Sequence, residues 1–396
     1  MCAMAFPVPR TCPFDLPAGY AALRTERPVS RVRLPDGQLA WLVTRYEDVR
    51  RLATDPRISA DRGHPNSPYT ELVTAQGRAA IAAVGRSLIG LDPPEHGPRR
   101  RMLMPEFTVR RVNGLRPHIQ RVVDESIAAL LAGPRPAELV TALALPVTST
   151  VICELLGVPY ADRDFFLDRA AVQVRRDVPP ERRRQAGGEL RAYLDRLVTG
   201  KERDGGDDLL SRLAARRNAE FDHDQLVGLA MLLLIAGFES TASMIVLGVV
   251  VLLEHGGAAA VPKDPAALGL AVEELLRYLS IVDTMPRVAT ADIEVGGVTI
   301  PAGDGVLLSF ASANHDADTF DDPAGLRLGR GSRQHVAFGY GAHQCLGQNL
   351  ARAELEIVFR SLFTRVPGLR LAVPLADLPF KRDASVYGLD RLPVTW

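Results

Sequence analysis

The chain has 396 residues and a mass of 43.0 kDa, long enough for one large domain or two ordinary ones. Its 47 basic side chains balance 47 acidic ones, so bulk charge gives no indication of a nucleic acid or a membrane surface as partner. The four cysteines include no Cys-x-x-Cys pair, which argues against a zinc ribbon and fits a reducing cytosol. The proline-rich N-terminus has no apolar core region, so no signal peptide is expected.

The N-terminal part predicts a small β-region. Two β-type runs, 30–34 and 39–44, flank Asp36-Gly37, which is a dipeptide typical of a hairpin turn. A helical pattern follows over 46–53. Residues 61–88 then predict a long loop with room for one helix, and loops of that length in compact domains are often functional.

A basic helix start comes next. Pro94 can begin a helix with Glu95 in its first turn, and His96 and Arg100 then lie four apart on one helix face. Two such side chains can hold a carboxylate group. The alternative is a solvated basic helix end, which the segment by itself favours.

The middle of the chain is predicted to be helical. Helical patterns cover 109–131, 139–156, 161–175 and 181–203, with a break at Pro179-Pro180. The stretch 225–254 is the longest apolar one and is long enough to span a membrane. Polar residues interrupt its middle and flanking topology signals are absent, so we predict a helix buried in the core of a soluble protein.

These polar residues favour a function for the long helix. A buried acid costs free energy unless it is paired or used, so Glu239, with Ser240 beside it, can pass protons to a reacting centre. Gly237 removes a side chain where a ligand can press on the helix. The alternative for Ser240 is a hydrogen bond back to a carbonyl one turn earlier.

An amphipathic helix and several short strands follow. Glu274 and Arg277 are three apart and can pair, although many surface helices carry such a pair. Ten residues on, Arg287 opens a strand-like run. Further short strands are predicted at 293–295, 298–300, 306–309 and 369–373.

A glycine-rich loop then leads through Cys345 to an apparent helix at about 346–362. Gly339 and Gly341 carry no Cβ, so the backbone can turn tightly and a flat group can approach. A helix N-terminus stabilises a thiolate at Cys345, and a soft anionic sulfur on a rigid loop can be an axial ligand of haem iron. The alternative is an ordinary buried cysteine beside a turn.

The pattern Phe338-Gly-x-Gly-x-His343-x-Cys345-x-Gly347 resembles the haem-ligand signature of the cytochrome P-450 family, which is a highly specific motif. Other motifs of that family occur in its order along essentially the whole chain. The resemblance implies a mainly α fold with small β-sheets, in which a long central helix lies over a haem and the cysteine loop lies beneath. It implies one domain over residues 1–396, with a β-rich part at about 28–60 and a helical core at about 94–365.

The resemblance assigns roles around the haem. Cys345 would be the thiolate ligand of the iron, and His96, Arg100, Arg287 and His343 would bind the propionates, where charge-assisted hydrogen bonds are strong. Further residues expected at the cofactor are Phe338, Gly339, Gly341, Ala236 and Gly237.

Two more motifs match the family. The segment from Ala236 to Thr241 resembles its oxygen-activation motif, which implies that Glu239 and Ser240 guide protons to bound dioxygen. The family usually has threonine in place of Ser240, so the hydroxyl is kept but β-branched stiffness is lost. Thr241 can partly substitute, although it points elsewhere around the helix. Glu274 and Arg277 match the Glu-x-x-Arg motif, which locks the core under the haem.

The implied reaction is oxygen insertion into a C–H bond or across a C=C bond of a large hydrophobic molecule. Phe238 beside Gly237, followed by Ser240, is similar to the macrolide-tailoring members from actinomycetes, particularly those that act on polyene macrolides. In the family the turn at Pro179 is a mobile lid, and the 61–88 loop is a second wall of the pocket. The predicted substrate contacts are mostly apolar: Leu88, Leu233, Ala236, Phe238, Val282, Met285 and Val386.

Electrons are expected from separate proteins. No Gly-x-Gly-x-x-Gly fingerprint follows a strand, and no length remains for a flavin domain. The resemblance implies haem b as cofactor, O2 as co-substrate, and NAD(P)H as the ultimate donor through a ferredoxin and its reductase. A cytoplasmic monomer without nucleic acid or membrane partners is expected. A basic docking face is predicted, with scattered surface arginine as the alternative: Arg99, Arg101, Arg110, Arg111 and Arg352.

Two other classes of function stay open from the sequence. One is a haem-binding sensor or carrier without oxygenase activity, against which an intact proton path argues. The other is a cysteine-nucleophile enzyme that pairs Cys345 with His343. Residues two apart on a tight loop rarely orient as nucleophile and base, and no third orienting group is evident.

Overall fold

The computed structural model describes residues 3–8, 10, 13–68, 88–174, 178–216, 221–381 and 386–396. The predicted loop at 61–88 therefore lies mostly outside the described residues. Internal contacts divide the chain into two compact units. The first comprises Met1–Arg100, Leu276–Leu326 and Arg333–Cys345, and the second comprises Arg101–Leu275, Arg327–Ser332 and Leu346–Trp396. The single domain predicted for 1–396 stays a prediction.

The described chain contains eleven short strands in three sheets. In chain order they are β1 Met4–Ala5, β2 Val29–Arg33, β3 Leu39–Val43, β4 Ile58–Ser59, β5 Ala137–Glu138, β6 Thr284–Ala289, β7 Ile293–Val295, β8 Val298–Ile300, β9 Gly305–Ser309, β10 Arg370–Leu371 and β11 Pro393–Thr395. The first unit holds a six-stranded sheet of order β1-β2-β3-β9-β6-β4 and the pair β7-β8. The second unit holds a sheet of order β10-β11-β5.

The predicted N-terminal hairpin is confirmed. Strand β2 runs antiparallel to β3 from the pair Val29↔Val43 onwards, and Gly37 in the turn between them has a φ of +87°. Strand β9 lies parallel to β3 and antiparallel to β6, so it occupies the middle of the sheet. Leu307 packs in one buried cluster while its neighbours Val306 and Leu308 pack in another, so β9 is buried on both faces.

Most of the regular secondary structure of the described residues is helical. The described helices are α1 Tyr20–Glu26, α2 Tyr46–Thr54, α3 His96–Leu103, α4 Val109–Ala132, α5 Leu145–Leu156, α6 Arg163–Val174, α7 Pro180–Asp204, α8 Leu209–Ala215, α9 His223–Glu254, α10 Pro265–Leu279, α11 Phe310–Ala313 and α12 Gln348–Arg365. The architecture is mainly α with small β-sheets, as the sequence predicts.

The long helix α9 is the buried centre of the second unit. Asp222 begins it with a capping box, in which its carboxylate accepts from the Gln225 amide and the Gln225 side chain accepts from the Asp222 amide. The helix is long and apolar enough to cross a membrane, yet 78% of its most apolar window is buried inside the protein. A helix that is apolar on all sides can be stable in this way, because neighbouring helices cover it.

Some predicted boundaries are wrong. Helix α3 begins at His96 and not at Pro94, and the strand predicted at 369–373 is only Arg370–Leu371. The short helices α1 and α8 have no predicted counterpart, because seven residues give too few turns for a clear apolar period.

Candidate active site

The loop before Cys345 has a conformation that requires glycine. Gly339 and Gly341 have φ of +72° and +75°, which other residues rarely adopt. A Cβ on Gly341 would lie 2.5 Å from the Ala53 carbonyl oxygen, so α2 also restricts this position. The Cys345 amide donates to the Phe338 carbonyl at 2.8 Å, which closes the loop. Cys345 is exposed, so the alternative of an ordinary buried cysteine is wrong.

The predicted propionate-binding side chains come together in the first unit. The rings of His96 and His343 lie 4.2 Å apart with a tilt of 37°. The Arg100 guanidinium donates to the Gln344 carbonyl at 2.6 Å, next to Cys345. Arg287 is buried on β6 and donates to the Pro286 carbonyl at 2.8 Å. We call His96, Arg100, Arg287 and His343 the cationic cluster.

Burial, reinforced by neighbouring cationic groups, lowers the pKa values of His96, Arg287 and His343. Burial and then Arg287 lower the pKa of His343 to about 3, and burial and then Arg62 lower the pKa of Arg287 to about 10. Burial and then Arg100 lower the pKa of His96. Asp92 opposes some of these effects, but its carboxylate already accepts from Ser59 Oγ and from the Ala60 amide.

The cluster fits a ligand with two carboxylates. The buried Nε2 of His96 has no hydrogen-bond partner among the described residues, and such an atom is costly unless a partner binds there. An anion would accept a hydrogen bond from that atom and would offset the mutual repulsion of the Arg100 and Arg287 guanidinium groups. The residues present therefore fit haem propionates, with Cys345 available as the thiolate.

The predicted proton-relay residues lie on α9 in the second unit. Glu239 is buried, and its Oε1 accepts from Lys381 Nζ at 2.5 Å. The Ser240 hydroxyl donates to the Ala236 carbonyl at 2.8 Å, and the Thr241 hydroxyl donates to the Gly237 carbonyl at 3.5 Å. Both hydroxyls thus make the bond back to the preceding turn that the sequence left open as the alternative for Ser240.

Two predictions on α9 are wrong. A Cβ on Gly237 would lie 2.8 Å from Ile152 Cδ1, so the missing side chain makes room for α5 and not for a ligand. Phe238 is only 1% exposed and belongs to the protein interior, which excludes it as a substrate contact in this conformation. Its helix is apolar all round, so the sequence gives no indication of which side faces a pocket.

The other predicted substrate contacts differ in burial. In the first unit Leu88 is buried, while Val282 and Met285 are partly buried. Met285 packs against the main buried cluster of that unit. In the second unit Leu233 and Val386 are partly buried and Ala236 is exposed. Ala236 is therefore the α9 residue of this set that a ligand can reach most directly.

Glu274 and Arg277 are both deeply buried on α10. Glu274 accepts from the Arg327 amide and from Arg330 Nε, each at 2.9 Å. Arg277 donates to the carbonyls of Asn314 and Pro323 at 2.8 Å. Each side chain ties irregular backbone to α10, which agrees with a structural role.

The predicted docking arginines are in unlike environments. Arg352 makes two hydrogen bonds to the Glu273 carboxylate, at 2.6 and 3.0 Å, so its charge is compensated within the second unit, and its docking role stays a prediction. Arg99 lies 3.8 Å from Glu95, and Arg111 lies 4.0 Å from buried Glu106. Arg101 and Arg110 are exposed.

The sequence reasoning missed Lys381. It contacts Glu239 from a segment 142 positions away along the chain. No motif marks the lysine, and no periodic pattern relates the two positions. Only the tertiary structure brings them together.

Comparison with known proteins identifies the family. The family model for Cytochrome P450 matches residues 268–366. The chain is 48% identical to Vitamin D3 dihydroxylase of Streptomyces griseolus, over 100% of this chain and 97% of that protein. Cytochrome P450 MoxA from Nonomuraea recticatena is 50% identical with a TM-score of 0.91, and the match covers 99% of this chain and 98% of that one. The mycinamicin VIII C21 methyl hydroxylase MycCI from Micromonospora griseorubida, solved with mycinamicin VIII, is 43% identical with a TM-score of 0.92 and coverage of 99% and 100%.

The chain therefore belongs to the cytochrome P450 family and has its fold. It is a P450 monooxygenase, and its bacterial relatives act on natural products. The family uses haem and O2 with electrons from a reductant. Neither the sensor without oxygenase activity nor the cysteine-nucleophile enzyme agrees with this assignment.

Proposed function

We propose that this monooxygenase binds haem b through Cys345 and the cationic cluster, and that it hydroxylates or epoxidises a macrolide, most specifically a polyene macrolide. The observation that carries the cofactor part is the cationic cluster itself. Four side chains that can donate hydrogen bonds come together there in the first unit, and the buried Nε2 of His96 has no hydrogen-bond partner among the described residues. When bound, the haem supplies the activation of O2, which its thiolate ligand favours.

The chain's own residues would hold the cofactor and supply protons. Arg100 and Arg287 carry the charge that arginine keeps in proteins, while the lowered pKa values of His96 and His343 make the two rings neutral donors, so the cluster can neutralise two carboxylates. Glu239 is the buried acid closest in sequence to the hydroxyls of Ser240 and Thr241. We assign these three residues to proton delivery, with the Glu239 carboxylate as the group that exchanges the proton.

The substrate proposal rests on the apolar character of the predicted substrate contacts and on one relative. Leu233, Ala236 and Val386 in the second unit, and Val282 and Met285 in the first, offer no charge to a ligand, which suits a large hydrophobic molecule. The relative MycCI was solved with mycinamicin VIII bound. Another relative is a vitamin D3 dihydroxylase, so vitamin D3 is the competing candidate substrate against which macrolides are tested.

The electron donor is proposed to be a ferredoxin with its reductase, which passes electrons from NAD(P)H. Exposed apolar side chains lie between the exposed Arg101 and Arg110: Met104 is 51% exposed and Val109 is 61% exposed. Exposed apolar and positively charged side chains in one segment suit an acidic protein partner. We further propose that the protein is a cytoplasmic monomer, and the burial of α9 argues against use of that helix as a membrane span.

Spin-state titration of the purified holoprotein tests the substrate proposal. Polyene macrolides, other macrolides and vitamin D3 are added in turn, and the shift of the haem absorption band is followed. A saturable shift with a macrolide at micromolar concentration, followed by product formation with ferredoxin and reductase, supports the proposal. A shift with vitamin D3 alone would contradict it.

A further inference from the structure

The base of the C-terminal hairpin, which is formed by Phe380–Lys381 and Gly388–Leu389, is attached to the long helix α9 by an ion pair between the buried Glu239 and the partly buried Lys381. Lys381 Nζ lies 2.5 Å from Glu239 Oε1, and the two side chains are 19% and 9% exposed. Loss of Lys381 would leave the buried Glu239 carboxylate without a compensating charge, which costs free energy. Lys381 is therefore an integral part of the environment of Glu239.

The hairpin that carries Lys381 is well defined at its base. Phe380 and Leu389 form an antiparallel bridge, and the Lys381 amide donates to the Gly388 carbonyl at 2.9 Å. The rings of Phe380 and Tyr387 stack with centroids 5.9 Å apart and an angle of 11°. The backbone and the stacked rings fix the point from which the Lys381 side chain extends.

A second contact seats the same hairpin on α9. A Cβ on Gly388 would lie 2.6 Å from Ser243 Oγ, so the backbone of the hairpin touches the helix there. Ser243 is four residues after Glu239, and residues four apart lie on one face of a helix. The hairpin thus contacts two successive turns of one face of α9, and the first of these contacts is the ion pair.

We propose that Lys381 is a positioning residue that holds the Glu239 carboxylate for proton delivery, and that it links this acid to the C-terminal hairpin. The inference rests on the proposed role of Glu239. Val386, the predicted substrate contact on the hairpin, is two residues from Gly388, so a ligand at Val386 would lie near the base that holds Glu239.

The first test does not use turnover. The chain has three lysines, Lys201, Lys263 and Lys381, and their acetylation rates in the holoprotein are measured by mass spectrometry. Exposed Lys263 reacts fast, and Lys201, which is 19% exposed and pairs with Asp208 at 2.6 Å, reacts slowly. We expect Glu239→Gln to raise the rate at Lys381 at least about threefold and to leave Lys201 unchanged. Gly388→Ala, which pushes the hairpin off Ser243, is also expected to raise the acetylation rate at Lys381.

The second test measures coupling, which is the fraction of electrons that ends in product and not in hydrogen peroxide. Lys381→Met is expected to lower coupling about tenfold, and Lys381→Arg to restore most of it. Lys201→Met is the matched control, because it breaks a lysine pair of the same exposure. The variant Glu239→Gln/Lys381→Met is expected to couple no worse than Glu239→Gln alone, since Lys381 acts through Glu239.

The outcomes separate this inference from the proposed function. If Glu239→Gln lowers coupling and Lys381→Met does not, the positioning role is wrong while the proton role of Glu239 stands. If Glu239→Gln couples like the wild type, both are wrong. An acetylation rate at Lys381 that does not respond to Glu239→Gln overturns the ion pair on which the inference depends.

Discussion

The imidazole rings of His96 and His343 lie 4.2 Å apart with a tilt of 37°, although the two residues lie on different elements of the first unit. Burial lowers the pKa of both rings, so each is neutral at pH 7 and each can donate one hydrogen bond. With the charged Arg100 and Arg287 in the same cluster, the pair forms a site for two carboxylates. The predictions on cofactor binding follow from this arrangement.

Arg287→Met is expected to weaken haem retention. Methionine fills similar space but removes a buried guanidinium that would donate to a propionate, and a hydrogen bond to a charged group is worth about 1.5–3 kcal/mol. Haem transfer from the holoprotein to an excess of an apo-globin should therefore be faster, on the order of tenfold to a hundredfold.

The control for that experiment is Arg57→Met. Arg57 pairs with Asp55 at 2.7 Å on the exposed surface of the same unit. Its loss should leave haem transfer unchanged. Equal transfer rates for Arg287→Met and the wild type would show that the cluster does not hold the cofactor.

Acid should destabilise the protein through His315. Burial and then Arg277 lower the pKa of this histidine to about 3 in the folded chain, while the unfolded chain takes up the proton near 6.5. Between these values the unfolded state binds more protons, so the free energy of unfolding falls as the pH falls. Between pH 6.5 and 5 the loss should be on the order of 2 kcal/mol.

The measurement is the urea midpoint at pH 7.5 and pH 5 for the wild type and His315→Gln. Glutamine can keep the hydrogen bond that His315 Nδ1 donates to the Ala311 carbonyl, but it does not titrate. The variant should lose less stability on acidification. His64→Gln, on an exposed turn, serves as control. Parallel losses for all three proteins would contradict the prediction.

Two glycine-to-alanine substitutions should change stability in opposite directions. A Cβ on Gly248 of α9 would lie 2.4 Å from the ring of Phe359 on α12, which is fully buried and cannot move away, so Gly248→Ala should cost about 1–3 kcal/mol. Gly188 of α7 has open space around it, so Gly188→Ala should stabilise by about 0.5–1 kcal/mol. The thermal midpoints of the two variant holoproteins are compared with that of the wild type. An unchanged midpoint for Gly248→Ala would disprove the close packing of α9 on α12.

Charge reversal on the proposed docking surface should weaken ferredoxin binding. Arg110→Glu places a negative charge beside the exposed Val109, and the KM for ferredoxin should rise roughly threefold to tenfold at low salt. The effect should shrink as salt is added, because the charges are exposed. Arg203→Glu, at a side chain that is 76% exposed at the end of α7, should have no such effect. Equal KM values for both variants would show that ferredoxin does not bind at the surface around Val109 and Arg110.

Local features of the fold could be predicted from the sequence, whereas contacts between distant segments could not. The hairpin around Gly37 and the glycines of the Cys345 loop were predictable because their backbone conformations depend on neighbours in the chain. The cationic cluster was predictable only through the family motif, which already contains the tertiary arrangement. Helix α9 is apolar on every side, so its period gave no indication that Phe238 faces inward.

The contact between Lys381 and Glu239 is another contact between distant segments that the sequence could not predict. Neither residue type nor spacing indicated it, because an ion pair across 142 positions depends on how the C-terminal hairpin packs on α9. The packing of Ile152 against Gly237 could not be predicted from the sequence for the same reason. Both are contacts that a family motif does not describe.

The most direct test of the haem–thiolate assignment is the carbon monoxide difference spectrum of the dithionite-reduced protein, recorded alongside Cys345→Ser. We expect the wild type to show a Soret band at the long wavelength typical of thiolate ligation and the variant to lose it. A short-wavelength band in the native wild-type protein, or an unchanged spectrum in Cys345→Ser, would contradict Cys345 as the ligand of the iron.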